Sequence, residues 1–204
     1  IAAFQKEVDI AGCPIVGNSL GGYLVMWLAL LRPDMVGRIV NLHSPGVPLF
    51  RLRALHVALA LPGMRRLLAW FAGRRPERWA HENVHYYDES LKSREEAAEY
   101  GRPLADSDGA AAFASYMGDP VARKYMSEFV TRLQARREDG RGFPVPLLLL
   151  YAREDPLVPP SVGERLSALI PDAEFQWLEE ASHFAHVDAP ERFLAPTLDF
   201  LGVN

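Results

Sequence analysis

Three side chains in this sequence have the chemistry of acyl transfer: a hydroxyl, a carboxylate and an imidazole. Ser19 sits in Gly17-Asn18-Ser19-Leu20-Gly21-Gly22, directly after the apolar pair Ile15-Val16. A Gly-x-Ser-x-Gly run between a strand and a helix reads as a sharp turn that lifts a serine out at its tip. The backbone there is strained, and Gly17 and Gly21 read as the neighbours that must lack bulk. The helix that follows aims free N–H groups at the same spot, which suits an oxyanion. A serine hydroxyl becomes a nucleophile when a base takes its proton and an acid orients that base. Asp155 lies four residues after Tyr151, with Pro156 stiffening its loop, and His183 follows the apolar run that ends at Leu178. The chain order serine, acid, histidine fits a triad built on the carboxyl ends of parallel strands.

Rival residues stand close to each of these. Glu154 competes with Asp155, and His186, read as a packing histidine, competes with His183. His43 follows a predicted strand and reads as a loop histidine, with a pocket-facing role as the alternative. His81-Glu82-Asn83-Val84-His85 matches H-E-x-x-H, which on a helix binds zinc through two histidines on one face. It stands beside Pro76, away from an apolar helix, and no further histidine follows at a ligand spacing. No metal and no cofactor are expected.

The elements that must position these groups follow from apolar patterning. Residues 1–10 read as the end of an amphipathic helix with Ile1, Phe4, Val8 and Ile10 on its apolar face. Strands are expected over 11–16, 36–42, 147–151 and 173–178. A helix over 20–31 carries Leu20, Tyr23, Leu24, Trp27, Leu28 and Leu31 at helical spacing. Pro14 fits only near the start of the first strand, since it lacks a ladder donor. Cys13, the single cysteine, reads as a small buried residue. Between residues 46 and 142 strand patterns vanish. Helices are expected over 50–61, 64–72, 94–100, 109–117 and 121–137, and Leu52, Leu55, Leu59, Leu67, Leu68 and Phe71 must bury against something. Strands alternating with helices predict a parallel α/β sheet, here interrupted by an all-helical insertion. Core residues 1–45 and 143–204 would flank a cap over 46–142.

Composition removes several classes. Apolar residues at 49% and charged residues at 24% suit a soluble globular protein, and a net charge of −4 gives nucleic acid no footing. No run approaches the roughly 20 apolar residues of a membrane span. Arg51, Arg53, Arg65, Arg66, Arg74, Arg75 and Arg78 form a basic run that reads as a solvated face, with an interfacial helix as the lesser alternative. No membrane partner is expected, and the chain is placed in the cytoplasm.

The elbow at residues 16–22, the acid loop Arg153-Glu154-Asp155-Pro156-Leu157-Val158-Pro159 and the histidine loop at 182–193 together resemble the α/β-hydrolase superfamily, in its branch with a helical cap between the sixth and seventh strands. The Gly-Asn-Ser-x-Gly-Gly elbow is similar to that of carbon–carbon bond hydrolases of aromatic ring-cleavage products and of many esterases. Ser19 argues against haloalkane dehalogenases and epoxide hydrolases, which carry Asp as nucleophile. The resemblance implies that Ser19 attacks a carbonyl, His183 accepts and returns its proton, Asp155 orients His183, and the Leu20 backbone N–H is one oxyanion donor. It also implies about four N-terminal strands and a second donor, which no part of the sequence matches. The expectation is a chain that is truncated, or completed by another, and inactive alone; a homo-oligomer stays open. The expected function is a serine hydrolase acting on an ester, a thioester or a ketone-adjacent carbon–carbon bond of a small apolar substrate. The alternative is a ligand-binding protein that kept the fold and little activity.

Overall fold

In chain order the elements are α1 (Ala2–Glu7), β1 (Ile15–Asn18), α2 (Leu20–Leu31), β2 (Ile39–Leu42), α3 (Phe50–Ala60), α4 (Met64–Arg74), α5 (Pro76–Asn83), α6 (Arg94–Gly101), α7 (Ser107–Gly118), α8 (Arg123–Glu138), β3 (Leu147–Ala152), α9 (Pro160–Leu169), β4 (Glu174–Leu178), α10 (Ala185–Asp188) and α11 (Pro190–Leu201). They are seen in a computed structural model that describes residues 1–203. The four strands form one sheet in the order β1-β2-β3-β4, every pair parallel. Asn18 pairs with Leu42, Leu42 with Leu150, and Ala152 with Leu178. The four carboxyl ends therefore line up along one rim, where loops of a parallel sheet carry function.

Two compact units divide the chain, Ile1–Val47 with Ser127 onward, and Pro48–Met126. In the first, β3 is buried along its whole length, as a strand covered on both faces must be. One face of the sheet presents Val40, Leu42, Leu148 and Leu150 to Phe193 and Phe200 of α11. Each such side chain, fully buried, contributes about 1.5–3 kcal/mol. On the other side, Tyr23 of α2 meets Phe129 of α8 edge-on, with ring centroids 5.1 Å apart. The second unit is all-helical, with α4 packed on α7 and α5 on α6.

Several elements differ from the sequence expectation for physical reasons. The first strand begins at Ile15, not residue 11, because Gly12 is left-handed (φ 78°) and Pro14 cannot donate to a ladder. Cys13 is thereby left in the preceding loop, partly exposed. The second strand starts at Ile39, where Gly37 passes close over the backbone of Cys13 and donates to its carbonyl at 3.0 Å. In α1 the apolar residues face solvent; the buried one is Gln5, whose Nε2 donates to the Met35 carbonyl at 2.9 Å. Helix α2 is buried around most of its circumference, so Val25, Met26 and Ala29 join the core while Leu31 lies exposed at its end. Leu67 and Phe71 of α4 are also exposed and do not bury as their spacing suggests. Pro76 starts α5, a helix that polar composition hid.

Candidate active site

The turn after β1 is built by close backbone contact. Ser19 sits at φ 53°, ψ −126°, and its N–H donates to the Leu42 carbonyl at 2.7 Å, tying the turn to the neighbouring strand. A Cβ on Gly17 would stand 2.7 Å from both N and Cα of Gly22, and one on Gly22 would stand 2.7 Å from the Gly17 carbonyl oxygen. Gly17 and Gly22 are thus the pair that lets strand and helix meet. Gly21 has open space around its Cβ position, so the steric demand falls one residue later than the motif suggests. Gly22→Ala should cost about 1–3 kcal/mol by overpacking, whereas Gly21→Ala should gain up to about 1 kcal/mol from helix propensity. Urea unfolding of the two variants side by side checks this.

The loops after β2, β3 and β4 bring three more groups to the same rim. His43 follows β2, Asp155 follows β3 and His183 follows β4. His183 Nδ1 and Asp155 Oδ2 are 2.7 Å apart, both side chains essentially out of solvent. The other carboxylate oxygen accepts the N–H groups of Leu157 at 2.7 Å and Val158 at 2.9 Å. Burial pushes the Asp155 pKa up, but the His183 hydrogen bond, the attraction to that ring's positive form and the Val158 N–H outweigh it and leave the carboxyl below its ordinary value. The ionised acid therefore takes a proton donated by His183 Nδ1, which leaves Nε2 as that ring's acceptor. The His183 loop is braced in turn, since the Ser182 N–H donates to Asp188 Oδ2 at 3.2 Å.

His43 is more than a loop residue. It is fully buried at φ 54°, its ring centroid 5.7 Å from that of His183. Its Nε2 accepts the Ala152 N–H at 2.8 Å, so its proton resides on Nδ1. Burial above all pushes its pKa down to about 3, and the ring stays neutral. Among the described residues four non-glycine residues have positive φ, and three of them, Ser19, His43 and Glu180, lie beyond the ends of β1, β2 and β4. Each such conformation costs about 1–3 kcal/mol, and such strain gathers at functional rims. The position of His43 at a strand's carboxyl end was the available sequence signal.

Of the candidate residues, Asp155 and His183 are joined directly. Among the described residues no hydrogen bond links Ser19 to His183, and the serine is held through its backbone. Glu154 and His186 are exposed and take no part in the pair. The Leu20 N–H opens α2 immediately beyond Ser19. His43, Asp155 and His183 offer metal-ligand atoms within 4.8 Å of one another. His43 Nε2 is taken up by the Ala152 N–H and the carboxylate by His183, Leu157 and Val158, which leaves the lone pair of His183 Nε2 as the acceptor the three side chains still offer. Hydrogen bonds thus account for Asp155 and for the acceptor nitrogen of His43 without a metal. In the H-E-x-x-H stretch, α5 ends at Asn83, so His85 lies off the helix, and Glu82 is engaged by Arg78 at 2.7 Å. The facing pair that zinc needs does not form there. A cavity of about 230 Å³ lined by Leu133, Phe143, Ile170 and Asp172 lies by the opposite, amino ends of β3 and β4. Asp172 is already spent there on the Phe143 N–H.

Comparison with known proteins adds to this geometry. The chain is 31% identical over 191 residues to 2-hydroxymuconate semialdehyde hydrolase of Pseudomonas putida, covering 92% of this chain and 61% of that protein. It is 26% identical over 209 residues to 2-hydroxy-6-oxo-2,4-heptadienoate hydrolase of Pseudomonas putida F1, covering 100% of this chain and 68% of that protein. The chain thus spans about three fifths to two thirds of the length of these relatives. Its fold is similar to that of a meta-cleavage product hydrolase from Pseudomonas fluorescens IP01, with a TM-score of 0.70 at 20% identity over 98% of this chain and 68% of the other. The profile described as Alpha/beta hydrolase family matches residues 1–195, and with the parallel sheet and its rim of strained loops this establishes that the chain belongs to the alpha/beta hydrolase family.

Proposed function

We propose that this chain carries the nucleophile, base and acid of a serine hydrolase: Ser19, His183 and Asp155. The observation that carries the reading is the buried 2.7 Å pair of Asp155 and His183 on the same sheet rim as the strained Ser19 turn. In the proposed reaction His183 Nε2 takes the Ser19 proton as Oγ attacks a carbonyl carbon. The oxygen of the tetrahedral intermediate accepts the Leu20 N–H, with the N-terminus of α2 behind it. His183 then gives the proton to the leaving oxygen, sulfur or carbon, and water repeats the cycle on the acyl-enzyme or a related species. The substrate class we favour is a small molecule with an ester, a thioester or a carbon–carbon bond next to a ketone. Similarity to 2-hydroxymuconate semialdehyde and 2-hydroxy-6-oxo-2,4-heptadienoate hydrolases supports the last of these. The helical unit Pro48–Met126 is assigned the role of cap.

The test is covalent. The whole protein is treated with a fluorophosphonate, digested and mapped by mass spectrometry, with the expected adduct on Ser19. An adduct on another serine, or none on a folded protein, counts against the assignment. Measured beside it, turnover of a p-nitrophenyl ester against a 2-hydroxy-6-oxo-dienoate ranks ester against carbon–carbon cleavage. Tight binding of either compound with no turnover would favour a binding protein instead.

A further inference from the structure

Resting on the reading of His183 and Asp155 as base and acid, we propose that His43 is a positioning residue: its imidazole pins the end of β3 so that Asp155, three residues on, meets His183. Fully buried, the ring acts through its neighbours and not on substrate.

His43 first continues the β2–β3 ladder and then alters it. Its N–H donates to the Leu150 carbonyl at 3.0 Å, as the next residue of a parallel strand would. In a regular ladder its own carbonyl would then accept the Ala152 N–H. At φ 54° the backbone leaves the strand, and the ring supplies the acceptor: the Ala152 N–H donates to Nε2 at 2.8 Å. The imidazole thus adds one rung. A second tie runs beside it, since the Tyr151 hydroxyl donates to the Ser44 carbonyl at 2.7 Å, and the Tyr151 ring meets His43 edge-on at 6.0 Å. The last two residues of β3 are therefore both held from the His43–Ser44 turn. Ala152 also pairs with Leu178 at the end of β4. The pin acts where the strands carrying the acid and the base part.

Stability alone would not choose histidine here. A left-handed backbone suits glycine or asparagine. Nδ1 is buried with no acceptor at full hydrogen-bonding distance, although the His183 main chain acts on the ring more weakly than burial does. Local choices that work against the fold gather where function needs them. An imidazole on this turn both reaches Ala152 and stands beside the His183 ring, 5.7 Å between centroids. It does so without charge. Asp155 favours the charged form, His183 and His186 oppose it, and burial outweighs them all. A cation at this place would compete with His183 for the carboxylate and oppose the proton that His183 takes up in the proposed reaction.

Three substitutions in the whole protein separate the acceptor from the ring. His43→Phe keeps a buried ring and removes the acceptor. His43→Asn suits the backbone, but its amide is too short to replace Nε2. His43→Gln carries Oε1 as many bonds from Cα as Nε2 is. The first two should lower kcat for a p-nitrophenyl ester about 10²-fold with KM within about threefold, and His43→Gln should restore kcat to within about threefold of the unaltered protein. Low-field proton NMR gives a readout that needs no turnover. The His183 Nδ1–H bonded to Asp155, assigned by its loss in Asp155→Asn, should persist in His43→Gln and exchange with water at least about tenfold faster in the other two. With Ser19 labelled by a fluorophosphonate, native kcat or native exchange in a folded His43→Phe or His43→Asn protein overturns the proposal, because a merely structural residue would move only the urea midpoint. So does a His43→Gln protein as impaired as His43→Phe. If the label misses Ser19, the catalytic reading fails, and the exchange rates alone decide whether His43 holds the pair. In the unaltered protein, nitrogen-15 histidine NMR should show this ring neutral and protonated at Nδ1 from about pH 5 to about pH 8. A charged ring in that range overturns the assignment without any variant.

Discussion

Ser19→Ala in the whole protein should lower kcat for a short p-nitrophenyl ester by at least about 10⁴-fold, with KM little changed. In the proposed mechanism the side-chain oxygen forms and breaks the bond to the acyl group, so nothing else in the chain substitutes for it. What survives is catalysis by oxyanion donors and binding alone, which in triad enzymes is typically about 10³–10⁴-fold over water. The substitution is clean because the turn does not depend on the hydroxyl. Ser19 is fixed by its backbone N–H to Leu42, and alanine carries the same Cβ penalty at φ 53° as serine does. Unfolding free energy should therefore move by less than about 1 kcal/mol. A variant that keeps its kcat would remove the serine from the mechanism, because the backbone-held turn leaves its fold intact.

How far the sequence speaks for this fold can be read from particular residues. The rim is legible because each loop there carries a local signal: glycines around Ser19, prolines beside Asp155, a short polar run before His183. Strand β3 is legible because five consecutive apolar residues after Pro146 leave little else to form. Strand β1 starts four residues later than apolarity suggests, since apolarity alone ranks Cys13 with Ile15, whereas the left-handed Gly12 and the missing donor of Pro14 decide where pairing begins. Gly21 and Gly22 are indistinguishable by type; only the approach of Asn41 and Gly17 to the second tells them apart. The weight of His43 is hidden because its burial depends on a contact with Ala152, 109 residues away, which no local pattern encodes. The same holds for Leu67 and Phe71: their spacing shows an apolar face but not that nothing in the described chain covers it.

Asp155→Asn is expected to lower kcat by about 10⁴-fold while leaving the site's shape largely in place. The reason lies in the direction of one proton. In the native site the carboxylate accepts from His183 Nδ1, which leaves Nε2 the acceptor that serves as base in the proposed reaction. Asparagine can still accept the Leu157 and Val158 N–H groups with its carbonyl oxygen, which presents its NH₂ to His183. That donor stabilises the tautomer with Nδ1 bare and the proton on Nε2, where it can no longer take one from serine. His43 offers no remedy, since its Nε2 is committed to Ala152 and its pKa of about 3 keeps it neutral across the working range. Glu154 on the same loop is exposed, and the His183 Nδ1 contact is made by Asp155. The pH dependence of stability carries a second signature. The folded-state pKa of Asp155 lies below its ordinary value, so the carboxylate adds stability that is fully present above about pH 4 and is lost as pH falls through the folded value. The amide of the Asp155→Asn variant has no such proton to bind. The difference in unfolding free energy between the two proteins should thus be largest near neutrality and shrink below about pH 4. Urea titrations at a series of pH values, beside kcat at neutral pH, read both effects. A constant stability gap together with unchanged kcat would show that the buried pair orients nothing.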